Sequence, residues 1–508
     1  MLDSMAKSSK NRASKQNYVS QDQLGIEGFE SPFSRKLNPK NRWVVLSRNI
    51  PWDILVSTYN SALGNSKTGA ASINARVAIG SVIIKHICDL SDRETVQQIQ
   101  ENMYMQFFLG YSSFTDEPPF DPSLFVEFRK RLGVEQINKI NELILGLGSE
   151  GYHAKSSTQD RAGVVKKETL PKQDGGEVVT HFGKMITDAT ACPQDIAYPT
   201  DLNLLNDARE KSQLLIDTLY KKVLHKKKPR TDRKKARKEY LQTAQKKVKS
   251  KKAIHNAVKK QLAYLRRNIS SIHKLWDSYQ KIPLDRNEYK YLLVIQTLYD
   301  QQKQMFDRGE HSVDNRIVSI HQPHVRPIVR GKTNAKTEFG AKIQATVMNG
   351  YTFLDELSWE AFNEGTCLIS SVEKYKVRFG FYPEYVLADK IYCTRANRKV
   401  LKDLSITLRA KPLGRPKAVD EKHVSPGERN PIEGKFGQAK TAYGLNRIKA
   451  RLQATSQSWI ASIILVLNLV KLAGEALLCH VVLVTYSARQ MKFEPWLRNR
   501  QPQLKLAA

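Results

Sequence analysis

Tyr385-Val386-Leu387-Ala388-Asp389 is a short apolar run that ends on an acid. Such a run reads as a buried strand whose last side chain leaves the sheet at its edge. A helix is predicted over roughly residues 364–378 before it and over Arg395–Leu404 after it, and Ile406-Thr407-Leu408 reads as the next strand. Upstream, Gly340–Val347 and Tyr351–Leu354 flank Asn349-Gly350, the strongest short signal for a hairpin turn. Strands and helices alternating in this way predict an α/β fold built on a mixed sheet. Ligands of open α/β sheets collect beyond strand ends, which makes Asp389 a candidate site residue.

A second acid is placed in the same manner. His181–Thr190 is strand-like and holds Met185-Ile186-Thr187-Asp188-Ala189-Thr190. Ile196–Pro199 is expected to be its partner strand, and Arg316–Ile320 a further one. Between these strands the chain turns helical and basic from Leu204 to about Arg308. Residues 221–267 carry 20 Lys and Arg against only Asp232 and Glu239. Apolar residues persist there at helical spacing (Leu215, Leu219, Leu262, Leu265, Ile269), so hairpinned helices are expected and not a tail. Lys226, Lys227, Lys234 and Lys235 stand in this stretch as candidate phosphate contacts. The α/β core is therefore interrupted once, by a basic helical insertion.

The 508 residues hold 82 Lys and Arg against 50 Asp and Glu, a net charge of +32. An excess of this size fits a polyanion partner, although ribosomal and membrane-surface proteins are basic as well. The five cysteines are scattered with no CxxC pair, which argues against a zinc ribbon or a disulfide framework. The N-terminal residues are polar and basic with no apolar segment behind them, so no signal peptide is expected. Trp459–Tyr486 is the most apolar run; Asn468, Lys471, Glu475 and His480 interrupt it, so a buried helix of a soluble protein is expected. Residues 41–150 read as a compact helical domain, with Ser91-Asp92-Arg93-Glu94 as a capping box and Asp121-Pro122 as a helix start. Its bases Arg76, Lys85, Arg129, Lys130 and Arg131 read as exposed, open to DNA or to solvent.

Downstream, a Pro- and Gly-rich loop at Ser425-Pro426-Gly427 leads into a helix that carries Arg429, Glu433, Lys435 and Lys440. Arg429, Glu433 and Lys440 are spaced to share one face. Asp188, Asp389 and Glu433 together offer three carboxylates, the donor type that hard divalent cations take. Two Mg²⁺ or Mn²⁺ ions held by such acids suit in-line phosphoryl displacement.

These pieces resemble the DDE transposases of bacterial insertion sequences. The chain is similar to the group with a helical N-terminal domain ahead of a ribonuclease-H-like catalytic domain. The resemblance rests on Ser91-Asp92-Arg93-Glu94, Phe107-Phe108-Leu109-Gly110 and Phe128-Arg129, then Thr187-Asp188-Ala189-Thr190 and Leu387-Ala388-Asp389-Lys390. It ends on the spacing of Arg429, Glu433 and Lys440, followed by Tyr443-Gly444-Leu445. It implies Asp188, Asp389 and Glu433 as catalytic metal ligands, with Arg429 and Lys440 on DNA phosphates; Lys435 and Arg447 stand beside them as further candidate DNA contacts. It further implies double-stranded DNA as partner, both element ends and target, a homodimer on that DNA, and a cytoplasmic, nucleoid-associated location. Where the family often carries Tyr, three positions before Arg429, this chain has Pro426. A binding protein without the chemistry and a nuclease without strand transfer are the alternatives, and the intact acid set disfavours the first.

The resulting layout is a basic tail (1–40), a helical DNA-binding domain (41–150) and a linker (151–180). A ribonuclease-H-like domain (181–204 and 313–485) follows, split by the insertion (205–312), and a C-terminal tail (486–508) closes the chain.

Overall fold

The computed structural model describes residues 37–61, 73–144, 180–281, 283–329, 337–410 and 426–474. Nearly all of the expected tails and linker and the Ser425 end of the loop lie outside these residues.

The N-terminal part is helical: α1 (Arg42–Asn49), α2 (Trp52–Ser61), α3 (Ala75–Ile87), α4 (Asp92–Glu101), α5 (Met103–Phe108), α6 (Phe125–Arg131) and α7 (Val134–Ile144). Several starts have a local cause. Asn41 and Asn74 cap α1 and α3, Ser91 accepts from the Glu94 amide at 3.2 Å, and Asp121 caps the short turn before α6. Trp43 and Trp52 close on Phe108 with ring centroids 5.3 and 5.1 Å apart.

Three bases expected on the surface are buried instead. Arg76 donates to the Phe108 carbonyl and the Ser47 hydroxyl and lies over Trp52. Lys85 and Arg129 share Asp92 at 3.0 and 2.9 Å, and both cover Trp459. A buried cation needs an opposite charge or carbonyls to offset lost hydration, and each of these has them. None of the three is available to DNA, whereas Lys130 is exposed.

The sheet is mixed. Its central strand β1 (Lys184–Pro193) is followed, after the insertion, by β2 (Arg326–Val329), β3 (Thr337–Met348) and β4 (Tyr351–Ser358). β3 runs antiparallel to β1, from Ile186 opposite Val347 to Pro193 opposite Gly340. The Asn349-Gly350 turn, with φ of 49° and 78°, returns β3 into β4 as expected. Gly340 has to be glycine: a Cβ there would stand 2.1 Å from the Cys192 carbonyl oxygen. α12 (Glu364–Phe379) packs on the sheet and leads to β5 (Tyr385–Leu387), which runs parallel to β1. α13 (Arg395–Asp403) then crosses to β6 (Thr407–Arg409), parallel to β5.

Two expected strands do not form. Ile196–Pro199 leaves the sheet towards the Thr200 cap of the next helix. Arg316–Ile320 is irregular because Ile317 and Ile320 are drawn into the helical core of the insertion. The strand that pairs there is β2, antiparallel to the first residues of β3.

Four helices make up the insertion region: α8 (Asp201–Leu219), α9 (Arg233–Ala244), α10 (Lys251–Trp276) and α11 (Arg286–Arg308). Leu205, Leu215 and Leu219 pack with Leu262, Leu265, Ile272, Ile295 and Leu298 in a core separate from that of the sheet. The charge is therefore carried on ordered helices. Part of it is neutralised locally: Lys228 and Arg233 share Asp217, Arg230 and Arg267 share Asp232, and Lys260 meets Glu239.

The last elements close the molecule. α14 (Asn430–Ala442) lies against β1 and β3. α15 (Gln453–Gly474) is long and apolar enough to cross a membrane, yet 78% of its most apolar window is buried inside the protein. Its one buried amide explains itself: Asn468 donates to Asn141 of α7 and pairs with the backbone of Thr352 on β4. One continuous apolar core thus runs from the N-terminal helices through α15 to the sheet.

Candidate active site

β1 and β5 pair in parallel up to Ile186 opposite Leu387. Two residues further on stand Asp188, still in β1, and Asp389, just past the end of β5. Asp188 stays in the sheet, opposite the small Ala345, and its Oδ1 accepts from the Ala189 amide at 2.8 Å. Asp389 has left the sheet and caps the turn Lys390–Tyr392, accepting from the Lys390 amide at 2.8 Å. Strand pairing therefore brings together two acids 201 positions apart in the chain.

α14 supplies the third acid. Ile432, Phe436 and Ala439 form its buried face, which leaves Glu433 outward. Arg429, at the N-terminus of this helix, reaches across: Nη1 donates to Asp389 Oδ1 at 3.0 Å and Nη2 to Glu433 Oε1 at 3.3 Å. Asp389 and Glu433 are 52% and 60% exposed, so both remain open to a ligand from solvent.

Asp188 differs in being largely enclosed. Burial, and then the negative charges of Glu364 and Asp389, push its carboxyl up to about 6, against the pull of the Ala189 amide and Arg429. An acid raised by burial together with neighbouring negative charge is a signature of functional clusters. Because the folded state holds this proton more tightly, its stabilising contribution is complete below about pH 4 and lost as pH rises through about 6. In metal-free buffer, Asp188→Asn is expected to melt at a higher temperature than the natural chain above about pH 6, with the gap closing towards pH 4. Melting curves recorded across that range test this, and a gap independent of pH would contradict it.

Glu364 was not legible in the sequence. It is an ordinary-looking acid in the first turn of α12, yet it stands near Asp188 and pairs with Lys342 at 2.9 Å. Beneath the acids lies a buried polar chain in which Tyr392 donates to Gln344 and Gln344 to Thr187. It leaves the floor of the site fully bonded and fixes the strand that carries Asp188.

Among the described residues no three His, Cys, Asp or Glu side chains stand in metal-holding geometry. The donor chemistry nonetheless suits a hard cation, since every candidate ligand is a carboxylate and one guanidinium spans two of them. Lys435 and Lys440 are half-buried on α14. Arg447 is exposed and paired with Asp195, just past β1, at 3.0 Å. Lys226, Lys227, Lys234 and Lys235 are exposed on the insertion, and none has an acidic partner among the described residues. His181 bonds the Leu404 carbonyl and is no part of the cluster.

Comparison with known proteins bears on both parts of the chain. Residues 386–470 match the family described as Transposase DDE domain, a segment that contains Asp389, Arg429, Glu433 and Lys440. Residues 31–131 match the family described as Transposase domain (DUF772). A curated protein of Rhizobium meliloti, named "Uncharacterized protein ORF8 in nfe locus", is 28% identical over 178 residues, 35% of this chain and 73% of its own length. No solved structure matches. Both segments thus match transposase families, a domain make-up consistent with an insertion-sequence DDE transposase.

Proposed function

We propose that the chain cuts phosphodiester bonds at the ends of its element and joins the freed 3′-OH to target DNA, with Asp188, Asp389 and Glu433 as the catalytic acids. The observation that carries this reading is the placement of Asp188 on β1 and of Asp389 just past the end of the adjacent parallel β5, with Glu433 tied to Asp389 through Arg429. A ribonuclease-H-like core is proposed with it. Three antiparallel strands in the order β4-β3-β1, continued by the parallel β5 and β6, support that assignment.

In the first reaction water displaces the 3′ oxygen from phosphorus, leaving a 3′-OH and a 5′-phosphate. In the second that 3′-OH displaces a 3′ oxygen in the target, exchanging one phosphodiester for another. Two divalent ions, Mg²⁺ or Mn²⁺, would supply activation of the attacking oxygen and charge neutralisation at the leaving one. The chain itself holds the acids: backbone amides orient Asp188 and Asp389, and the apolar face of α14 fixes the height of Glu433. Arg429, Lys435 and Lys440 lie on or beside the same helix and would meet the phosphates of the strand being cut. The partner is double-stranded DNA in the cytoplasm, and the joining of two ends calls for a homodimer. Nicking of end DNA by the natural chain, lost in Glu433→Gln with metal-free DNA binding retained, tests the assignment; unaltered nicking in that variant would remove Glu433 from the site.

The insertion is the proposed phosphate-binding arm. Changing Lys226, Lys227, Lys234 and Lys235 together to Gln is expected to weaken DNA binding and to reduce the slope of log K against log salt by roughly 3–4. Binding measured over a salt series checks this, and an unchanged slope would place these lysines off the DNA.

A further inference from the structure

The geometry points to Arg429 as a resting latch: its guanidinium occupies the gap between Asp389 and Glu433 and must leave before both acids can take a divalent cation. This rests on the reading of these acids as the metal site. The bridge is direct, since the two terminal nitrogens serve one carboxylate each, at 3.0 and 3.3 Å. Arginine does not lose its proton under ordinary conditions, so the latch cannot open by neutralisation; the side chain has to move. A guanidinium and a divalent ion repel each other and would compete for the same two oxygens.

Two further observations show where the guanidinium would go. Arg429 is only a fifth exposed, and its Nε is buried without a partner among the described residues, so the resting pose leaves one donor unused. Arg429 also opens α14, whose N-terminus has no side-chain cap, so the positive end of the helix dipole and the guanidinium would attract the same phosphate. A DNA phosphate docked at that helix end would draw Arg429 off the acids and free both carboxylates at once. Metal binding and DNA binding would then be coupled, and the site would stay closed to metal away from DNA.

The test is Mn²⁺ binding to the full-length chain, followed by the loss of the free-ion EPR signal at constant ionic strength, with and without duplex DNA. The natural chain is expected to bind Mn²⁺ about tenfold or more tightly when DNA is present. By reciprocity, Mn²⁺ should tighten DNA binding by the same factor. Arg429→Gln is expected to bind Mn²⁺ tightly without DNA, with DNA adding less than about twofold. Arg429→Lys, which can reach only one carboxylate at a time, should fall between the two. If Arg429→Gln matches the natural chain without DNA and keeps its full gain with DNA, the latch is overturned. Asp389→Asn separates the two failures. Lost Mn²⁺ binding in that variant, with Arg429→Gln unaltered, removes only the latch. Equal Mn²⁺ binding in Asp389→Asn and the natural chain with DNA present removes the metal site and the latch together.

Discussion

Asp389→Asn is expected to slow Mg²⁺-dependent cleavage of element-end DNA on the order of 10³-fold or more while leaving the fold and metal-free DNA binding nearly intact. The two halves of that expectation have separate causes. Structurally, Asp389 caps a short turn, and asparagine caps as well as aspartate. The side chain is half exposed, so the substitution opens no cavity. Chemically, asparagine offers one neutral oxygen where the carboxylate offered two charged ones, and a hard cation binds it far more weakly. The substitution also releases Arg429 from one of its two partners. Nicking assays alongside equilibrium DNA binding and a melting curve distinguish these effects. Cleavage within tenfold of the natural chain would take Asp389 out of the catalytic set.

Asp355→Ala is expected to cost about 3–5 kcal/mol of stability, the largest single effect anticipated outside the active site. Asp355 lies on β4 with its side chain almost fully buried, and it bonds Arg378 of α12 at 2.5 Å and the Thr346 hydroxyl. Arg378 also reaches Glu142 of α7 at 2.9 Å. One arginine thus ties the sheet to the helix that covers it and to the last N-terminal helix. Removing Asp355 would leave that guanidinium buried with half its compensation, which costs more than the pair contributes when whole. Denaturant unfolding of the variant measures this. A loss under about 1 kcal/mol would mean that the pair is solvated in solution and contributes little to holding the sheet to its helices.

The parts of the fold that could be read in advance share a property: their signal is local. Asn349-Gly350 specifies its own turn, and Tyr385–Leu387 followed by Asp389 specifies a strand and what happens at its end. Asp188, Asp389 and Glu433 were legible as types at plausible places, though nothing local says that β1 and β5 are neighbours. What stayed hidden depends on distant partners. Lys85 and Arg129 look like any surface bases until Asp92 and Trp459 close over them. Ile317 and Ile320 have strand-like character, but the insertion core claims them first. Glu364 resembles every other first-turn acid, and only folding brings it near Asp188.

The central claim is that Asp188, Asp389 and Glu433, from two strands and a helix, meet at one divalent-metal site. Fe²⁺ bound in place of Mg²⁺, with ascorbate and peroxide, generates hydroxyl radicals that cut the main chain beside the ion's ligands. On the full-length chain with end DNA, this account predicts cuts clustered next to residues 188, 389 and 433, suppressed by excess Mg²⁺ and lost in Asp389→Asn. Cuts confined to other segments, or an unchanged pattern in Asp389→Asn, would contradict it.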